Sequence, residues 1–283
     1  MTIADILQEV KAAFHREGDL LAAEVLLAFV LKQSKEYLII HSKDELLSNV
    51  EADFRILFKK FLNGEPIAYL IGNKEFFGMN FYVDRRVLIP RPETELLVEK
   101  VLDFSNQLRL GRSLKILDVG TGSGCIALSL AKNLVEAQVV GVDISVDALE
   151  VANINAKNHD LFERVEFKVS NLLENLDESF DIIVANLPYI GEKRFNFVSK
   201  EAYDYEPHVA LFGGDDGLYL YKSLFQQLLT KKWQPFLLTG EFGFLQSEAL
   251  QQMIRKYFPQ HRFEIFEDYA NIERVFTIYF DYA

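Results

Sequence analysis

The chain has 283 residues, enough for two domains, and 49% of them are hydrophobic, with 24 Phe and 12 Tyr to fill cores. A formal net charge of -12 with no Lys/Arg-rich run argues against direct grip on a nucleic-acid backbone. The single Cys125 excludes an intrachain disulfide framework, while five scattered His, the lack of an apolar run of about 18 residues and the mixed acids and bases of the first residues argue against a clustered metal site, a membrane-spanning helix and a secretory or transit leader.

Thr2 stands where a helix cap belongs, ahead of Ile6, Leu7, Val10 and Phe14 on one helical face, and Gly18 closes that turn. Asp19 precedes a second apolar stretch, LLAAEVLLAFVL. Ser42 and Glu45 have the spacing of a capping box and predict a third helix carrying Leu46, Leu47, Val50, Phe54, Leu57, Phe58, Phe61 and Leu62, stopped by Gly64 and Pro66. Residues 1–70 therefore read as an all-α helical bundle domain whose apolar stripes build a core and carry no chemistry of their own. Aromatic and β-branched residues between Gly72, Gly78 and Pro90 predict a β-hairpin linker over 71–90.

From 91 to 283 the pattern changes to strands alternating with helices. LKILDVG (114–120), AQVVGVD (137–143), VEFKVS (165–170), FDIIVAN (180–186) and PFLLTGEF (235–242) are strand-like, with helical stretches between them. That alternation predicts an α/β domain with a mostly parallel sheet covered on both faces. FEIFED (263–268) and ERVFTIYF (273–280) are too close for a helical crossover and should pair antiparallel at one edge, making seven strands.

Gly120, Gly122 and Gly124 lie between the first of these strands and a helix, where the backbone turns sharply and a ligand approaches without a Cβ in the way. A dinucleotide fingerprint would place a third glycine at Cys125, so the G-x-G-x-G spacing is similar instead to the first motif of the class I methyltransferases. Cys125 reads as a small core residue rather than a nucleophile. Asp143 ends the second strand just over twenty residues later, where a carboxylate can accept ribose hydroxyl protons; capping the next helix is the competing role. Asn171 follows the third strand and is expected near an adenine.

The fourth strand runs into Asn186-Leu187-Pro188-Tyr189. The nitrogen of an amide or exocyclic amine has its lone pair delocalised, so methylating it needs acceptors that hold its two N–H hydrogens. The Asn186 side-chain oxygen and the Leu187 carbonyl supply two, Pro188 stiffens the turn, and Tyr189 offers a flat wall for a planar group. A plain strand end with a Pro-containing turn is the alternative.

With these motifs in this order the chain resembles the PrmC/HemK family, the glutamine methyltransferases of class I peptide chain release factors. The resemblance rests on EPIAYLIGNKEFFGMNFYVDRRVLIPRPETELLVE (65–99), LDVGTGSGCIALSLA (117–131), GVDIS (141–145), NLPYI (186–190), YEPHVALFGGDDGL (205–218) and NIERVF (271–276). Arg91-Pro92-Glu93-Thr94-Glu95 is the most telling stretch, because related DNA and ribosomal-RNA methyltransferases do not normally carry it. The resemblance implies a class I methyltransferase Rossmann-like domain behind a helical domain that recognises the release factor. It implies S-adenosylmethionine as cofactor, held by Gly120, Thr121, Gly122, Ser123, Gly124, Asp143, Asn171, Leu172 and Asn186, and no metal. It also implies acceptor binding by Asn186, Leu187, Pro188 and Tyr189, with Asn186, Pro188 and Tyr189 catalytic. A cytoplasmic monomer whose partner is a class I release factor, without direct nucleic-acid or membrane contact, completes the expectation.

The family usually has Asn-Pro-Pro-Tyr, and here Leu187 replaces the first Pro. A Leu still supplies the main-chain carbonyl and gives up only φ restriction. Because Asn-Leu-Pro-Tyr is similar to the motif of ribosomal-RNA adenine dimethyltransferases, an adenine methyltransferase acting on RNA or DNA is the second reading. The third is a non-catalytic methyltransferase-fold binding protein, against which the retained Gly120, Gly122, Asp143 and Asn186 stand.

Overall fold

The computed structural model describes residues 1–13, 18–108 and 112–280, which form two compact units, Met1–Asn73 and Lys74–Ala283. The first unit holds α1 (Ile3–Ala13), α2 (Asp19–Leu31), α3 (Lys35–Ile40), α4 (Ser48–Leu62) and α5 (Ile67–Ile71). Ile3, Ile6, Val10, Leu26, Leu27, Leu38, Phe54 and Phe58 make its core. Phe14, assigned by its spacing to the same face of α1, lies outside the described residues.

Thr2 does cap α1, and reciprocally: the Asp5 amide donates to Thr2 Oγ1 at 3.2 Å and the Thr2 amide donates to Asp5 Oδ2 at 2.8 Å. The capping box predicted at Ser42 and Glu45 does not form. The Ser42 carbonyl instead accepts from the Ala4 amide, Glu45 bridges Thr2, and α4 begins only at Ser48. Tertiary pairing with the chain's first residues takes up the segment that local spacing assigned to a helix start. Ser34 caps α3, a helix the apolar periodicity did not separate from its neighbours. Helix α4 stops at Leu62 with Asn63 as its C-cap, and Pro66 opens a further helix, α5, which closes at Gly72.

The second unit begins with a hairpin, β1 (Lys74–Phe76) and β2 (Met79–Phe81), turned at Phe77 and Gly78, both with positive φ. Phe76, Met79 and Phe81 are buried with the sheet-facing side chains of the second unit, so the hairpin is part of that core. Then follow α6 (Glu95–Gln107), β3 (Lys115–Val119), α7 (Cys125–Asn133), β4 (Gln138–Asp143), α8 (Val146–Asn158), β5 (Val165–Val169), β6 (Ile182–Ala185), α9 (Lys200–Tyr205), α10 (Tyr219–Lys231), β7 (Leu237–Glu241), α11 (Ser247–Tyr257), β8 (Arg262–Glu267) and β9 (Glu273–Tyr279).

The sheet order is β5-β4-β3-β6-β7-β9-β8, parallel from β5 to β7, with β9 antiparallel to both of its neighbours. Side chains alternate between two buried faces. Ile116, Ile182 and Val184 point to the core of α6 and α7, while Leu117, Ile183 and Ala185 point to that of α10 and α11. The winding order reverses about β3, with β4 on one side and β6 on the other, which opens a crevice at the carboxyl ends of the parallel strands. The register is what positions the site. Val119 pairs with both Val142 and Ala185, and Ala185 pairs with Gly240, so Gly120, Asp143, Asn186 and Glu241 emerge side by side at that edge.

Candidate active site

The loop after β3 is tied down by its own amides. Gly120 and Thr121 N–H groups donate to the Val142 carbonyl at 2.8 and 2.9 Å, and Gly124 N–H donates to Thr121 at 2.8 Å. Gly120, Gly122 and Gly124 all have positive φ, which this turn requires. A Cβ added at Gly122 would meet nothing within 4 Å. Asp143 accepts from the Gly122 amide through Oδ2 and the Ser145 amide through Oδ1, each at 2.9 Å. A carboxylate has about four acceptor positions, so both oxygens keep capacity for ligand hydroxyls. Burial raises the Asp143 carboxyl, and the Ser145 and Gly122 amides oppose that shift.

These groups line a cavity of about 250 Å³ together with Thr121, Ser123, Asn171, Leu172, Asn186, Leu187 and Pro188. Ile144, Leu172 and Phe212 add apolar walls. A carboxylate beside a cradle of glycine backbone, between apolar walls, fits the ribose, methionine and adenine parts of S-adenosylmethionine. Gly124 is not among the lining residues; it is the left-handed N-cap of α7 and shapes the turn from behind. Asn171 Nδ2 donates to Glu174 at 2.9 Å. Cys125 is in the core, and burial pushes its thiol up to about 12, which leaves it a poor nucleophile.

A second cavity of about 390 Å³ lies beside the first, lined by Tyr189, Phe195, Phe197, Phe244, Arg274 and Glu201 among others. Leu88, Arg91, Asn186, Leu187 and Ala210 line both. Asn186 therefore stands where the two spaces meet. Its Nδ2 donates to Thr94 Oγ1 at 3.0 Å and Glu241 Oε2 at 3.2 Å, Thr94 Oγ1 donates to the same Oε2 at 2.6 Å, and the Tyr189 hydroxyl donates to Glu241 Oε1 at 3.0 Å. Glu241 is 1% exposed. Burial raises its carboxyl, while the Thr94 and Tyr189 hydroxyls and the nearby Arg274 charge pull the other way. The Glu241 charge raises the Tyr189 phenol in turn.

The backbone of the turn is fixed as well. Gln246, fully buried, donates to the carbonyls of Tyr189 at 2.7 Å and Asp216 at 3.0 Å, and accepts from the Gly243 amide at 2.7 Å. The stretch from Arg91 to Glu95 also resolves residue by residue. Arg91 pairs with buried Glu206, whose other oxygen accepts from the Ile89 amide; Thr94 reaches Glu241; and Glu95 accepts from the Phe77 amide of the hairpin.

Sequence reasoning brought together the glycine turn, Asp143, Asn171 and the Asn186–Tyr189 turn, and the structure gathers them at one edge. It missed Glu241, Gln246 and Asp118. An acid ending an apolar parallel strand was the available signal for Glu241. Asp118 is fully buried, accepts from Thr121 Oγ1 at 2.7 Å and the Ala127 amide at 3.1 Å, and has one oxygen without a partner. Burial pushes its carboxyl up to about 7. Among the described residues no group of three or more His, Cys, Asp or Glu is placed to hold a metal, and no helix is long and apolar enough to cross a membrane.

Fold and paired cavities together define a class I, S-adenosylmethionine-dependent methyltransferase. Residues 110–208 match the "Methyltransferase domain" family and residues 5–72 the "PrmC N-terminal domain" family. The human METTL16 N-terminal domain, solved with SAH, shares the fold at a TM-score of 0.55 and 15% identity, over 90% of this chain and 94% of that one. The chain belongs to the release factor glutamine methyltransferase family. It is 38% identical over 262 residues to the release factor glutamine methyltransferase of Koribacter versatilis, covering 90% of this chain and 89% of that one. The Streptococcus pneumoniae relative of the same name is 34% identical over 283 residues, covering 98% of each.

Proposed function

We propose that the chain methylates the side-chain amide nitrogen of the glutamine in the Gly-Gly-Gln loop of class I release factors. The observation that carries this reading is Asn186, held through its Nδ2 at the junction of the two cavities. With that nitrogen engaged by Thr94 and Glu241, Oδ1 is the polar atom left for an acceptor. The Leu187 carbonyl supplies the second acceptor, and between them the two N–H hydrogens of the target amide are held so that its lone pair faces the donor. Asp143, the glycine turn and Asn171 hold the cofactor, which supplies an electrophilic methyl group when bound. In-line transfer would move that methyl group from sulfur to the amide nitrogen, and the proton displaced from the nitrogen would pass to water. Tyr189, its hydroxyl tied to Glu241, presents a ring as one wall for the planar amide. Nothing in this arrangement calls for a strong base, because positioning supplies most of the rate.

Flanking glycines let an acceptor backbone approach closely, which suits a cleft walled by Phe195, Phe197 and Phe244. The helical unit is assigned to recognition of the release factor. It exposes Ile39, Ile40 and Leu47 on its own surface, as a docking surface requires. Incubation with labelled S-adenosylmethionine and a purified release factor, followed by mass spectrometry, tests the assignment. The label should sit on that glutamine and vanish when it is replaced by Glu. Label on adenine in ribosomal RNA, with none on the release factor, would overturn it.

A further inference from the structure

We propose that Glu241 is the positioning residue that sets the direction of the Asn186 amide, an inference that rests on the acceptor reading above. Asn186 could in principle present either its oxygen or its NH2 group to the acceptor, and the two orientations have almost the same shape. Only the oxygen can receive an N–H from the target amide. The choice is made on the far side of the side chain, where Nδ2 faces Glu241 Oε2 at 3.2 Å and Thr94 Oγ1 at 3.0 Å. Thr94 has spent its proton on the same Oε2, at 2.6 Å, so towards Asn186 its oxygen can only accept. The Tyr189 hydroxyl spends its proton on the other carboxylate oxygen, at 3.0 Å.

Three donors therefore converge on one buried carboxylate, and the Asn186 side chain meets an acceptor-only surface. A flipped amide would set its oxygen against two acceptors and leave its NH2 facing the substrate's N–H groups, which costs on both sides. Backbone anchoring keeps the carboxylate in place: Gly240 pairs in register with Ala185, and the Tyr221 hydroxyl donates to the carbonyls of Ala185, at 3.1 Å, and of Glu241. Glu241 touches neither cavity, so it acts through Asn186 and Tyr189 rather than on the reacting atoms.

The test is a polarity swap in the full-length protein. Glu241→Gln keeps the shape but offers an NH2 to Asn186 and frees it to turn; Asn186→Asp removes the donor that Glu241 receives. Combining them restores one donor facing one acceptor in the reverse sense, with a carboxylate oxygen still directed to the substrate and the net charge of the pair unchanged. Methyl transfer to a purified release factor is measured for wild type, both single variants and the double variant, with cofactor Kd by calorimetry and Tm for each. Each single change should lower kcat by about 30-fold or more while cofactor Kd stays within about twofold, and the double variant should exceed E241Q by about tenfold. A purely structural role for Glu241 would not produce that recovery. An E241Q enzyme with wild-type kcat, or a double variant no faster than E241Q, overturns the proposal. If E241Q does not fold, Thr94→Val decides instead: it removes one of the two acceptors on Nδ2, and unchanged kcat at unchanged cofactor Kd overturns the proposal. A wild-type enzyme that transfers no methyl group to the release factor identifies failure of the acceptor reading itself, and this inference falls with it.

Discussion

Replacing Asn186 by Ala removes a side chain at the junction of the two cavities and leaves the glycine turn and Asp143 intact. Transfer should fall on the order of 10²-fold or more, while cofactor affinity changes little, as calorimetry beside single-turnover rates will show. Leu187→Pro probes the neighbouring main-chain carbonyl. Leu187 is only 3% exposed and belongs to the core of α10 and α11, so this change should lower Tm, by about 1–3 kcal/mol of stability, yet leave the rate within several-fold. Asp118 gives a pH signature. Its carboxyl is pushed from an ordinary 3.8 up to about 7 by burial, with Asp143 nearby adding to the shift and Thr121 and Ala127 opposing it. A raised carboxyl contributes stability that is full below its unfolded pKa and is lost as pH rises through the folded one. The cofactor-free protein should therefore lose Tm between about pH 4 and 7, and Asp118→Asn should lose less over the same window. Equal slopes for the two proteins would show that Asp118 does not carry the effect.

The glycine turn separates backbone demand from ligand demand within a single loop. Gly124 has φ +80, and an added Cβ would come within 3.2 Å of Ala152 and Phe167 and 3.3 Å of Leu128. Gly122 has φ +53 with open space where its Cβ would go, on the cavity side of the turn. Gly124→Ala should lower Tm strongly through strain and crowding. Gly122→Ala should cost about 1–2 kcal/mol of stability at most and weaken cofactor binding instead. Thermal melts alongside calorimetry distinguish the two, and the idea fails if both variants lose the same Tm. The strands themselves were readable because each is a short apolar run between turn residues, and all seven lie within two residues of their predicted limits. Helix starts in the N-terminal unit were less readable. Ser42 and Glu45 satisfy a local rule, but pairing with the first residues of the chain outweighs it.

The division at Asn73 and Lys74 implies that the second unit folds alone, because its sheet, hairpin and covering helices share cores that it holds by itself. A fragment beginning at Lys74 should bind the cofactor with near-wild-type affinity. One beginning near 85 would lose Phe76, Met79 and Phe81 from the core and should melt lower. Methylation of an intact release factor should collapse in the fragment if the helical unit supplies recognition. Equal kcat/KM for fragment and full chain would remove that role.

By itself the sequence determined the fold class, the order of the parallel strands' segments and the turns that line the two cavities, because apolar period and glycine spacing are local properties of the chain. Asp143 and the Asn186–Tyr189 turn were legible for the same reason: each follows directly on a strand, and a parallel sheet delivers the residues after its strands to one edge. Only the tertiary structure decided which groups stand behind that edge. Thr94, Asn186 and Glu241 are separated by 92 and 55 residues, and their meeting depends on the register of β3, β6 and β7 and the entry of the chain ahead of α6. No spacing rule encodes that meeting. The three converge because a buried carboxylate must find donors, and the folded sheet places them within reach.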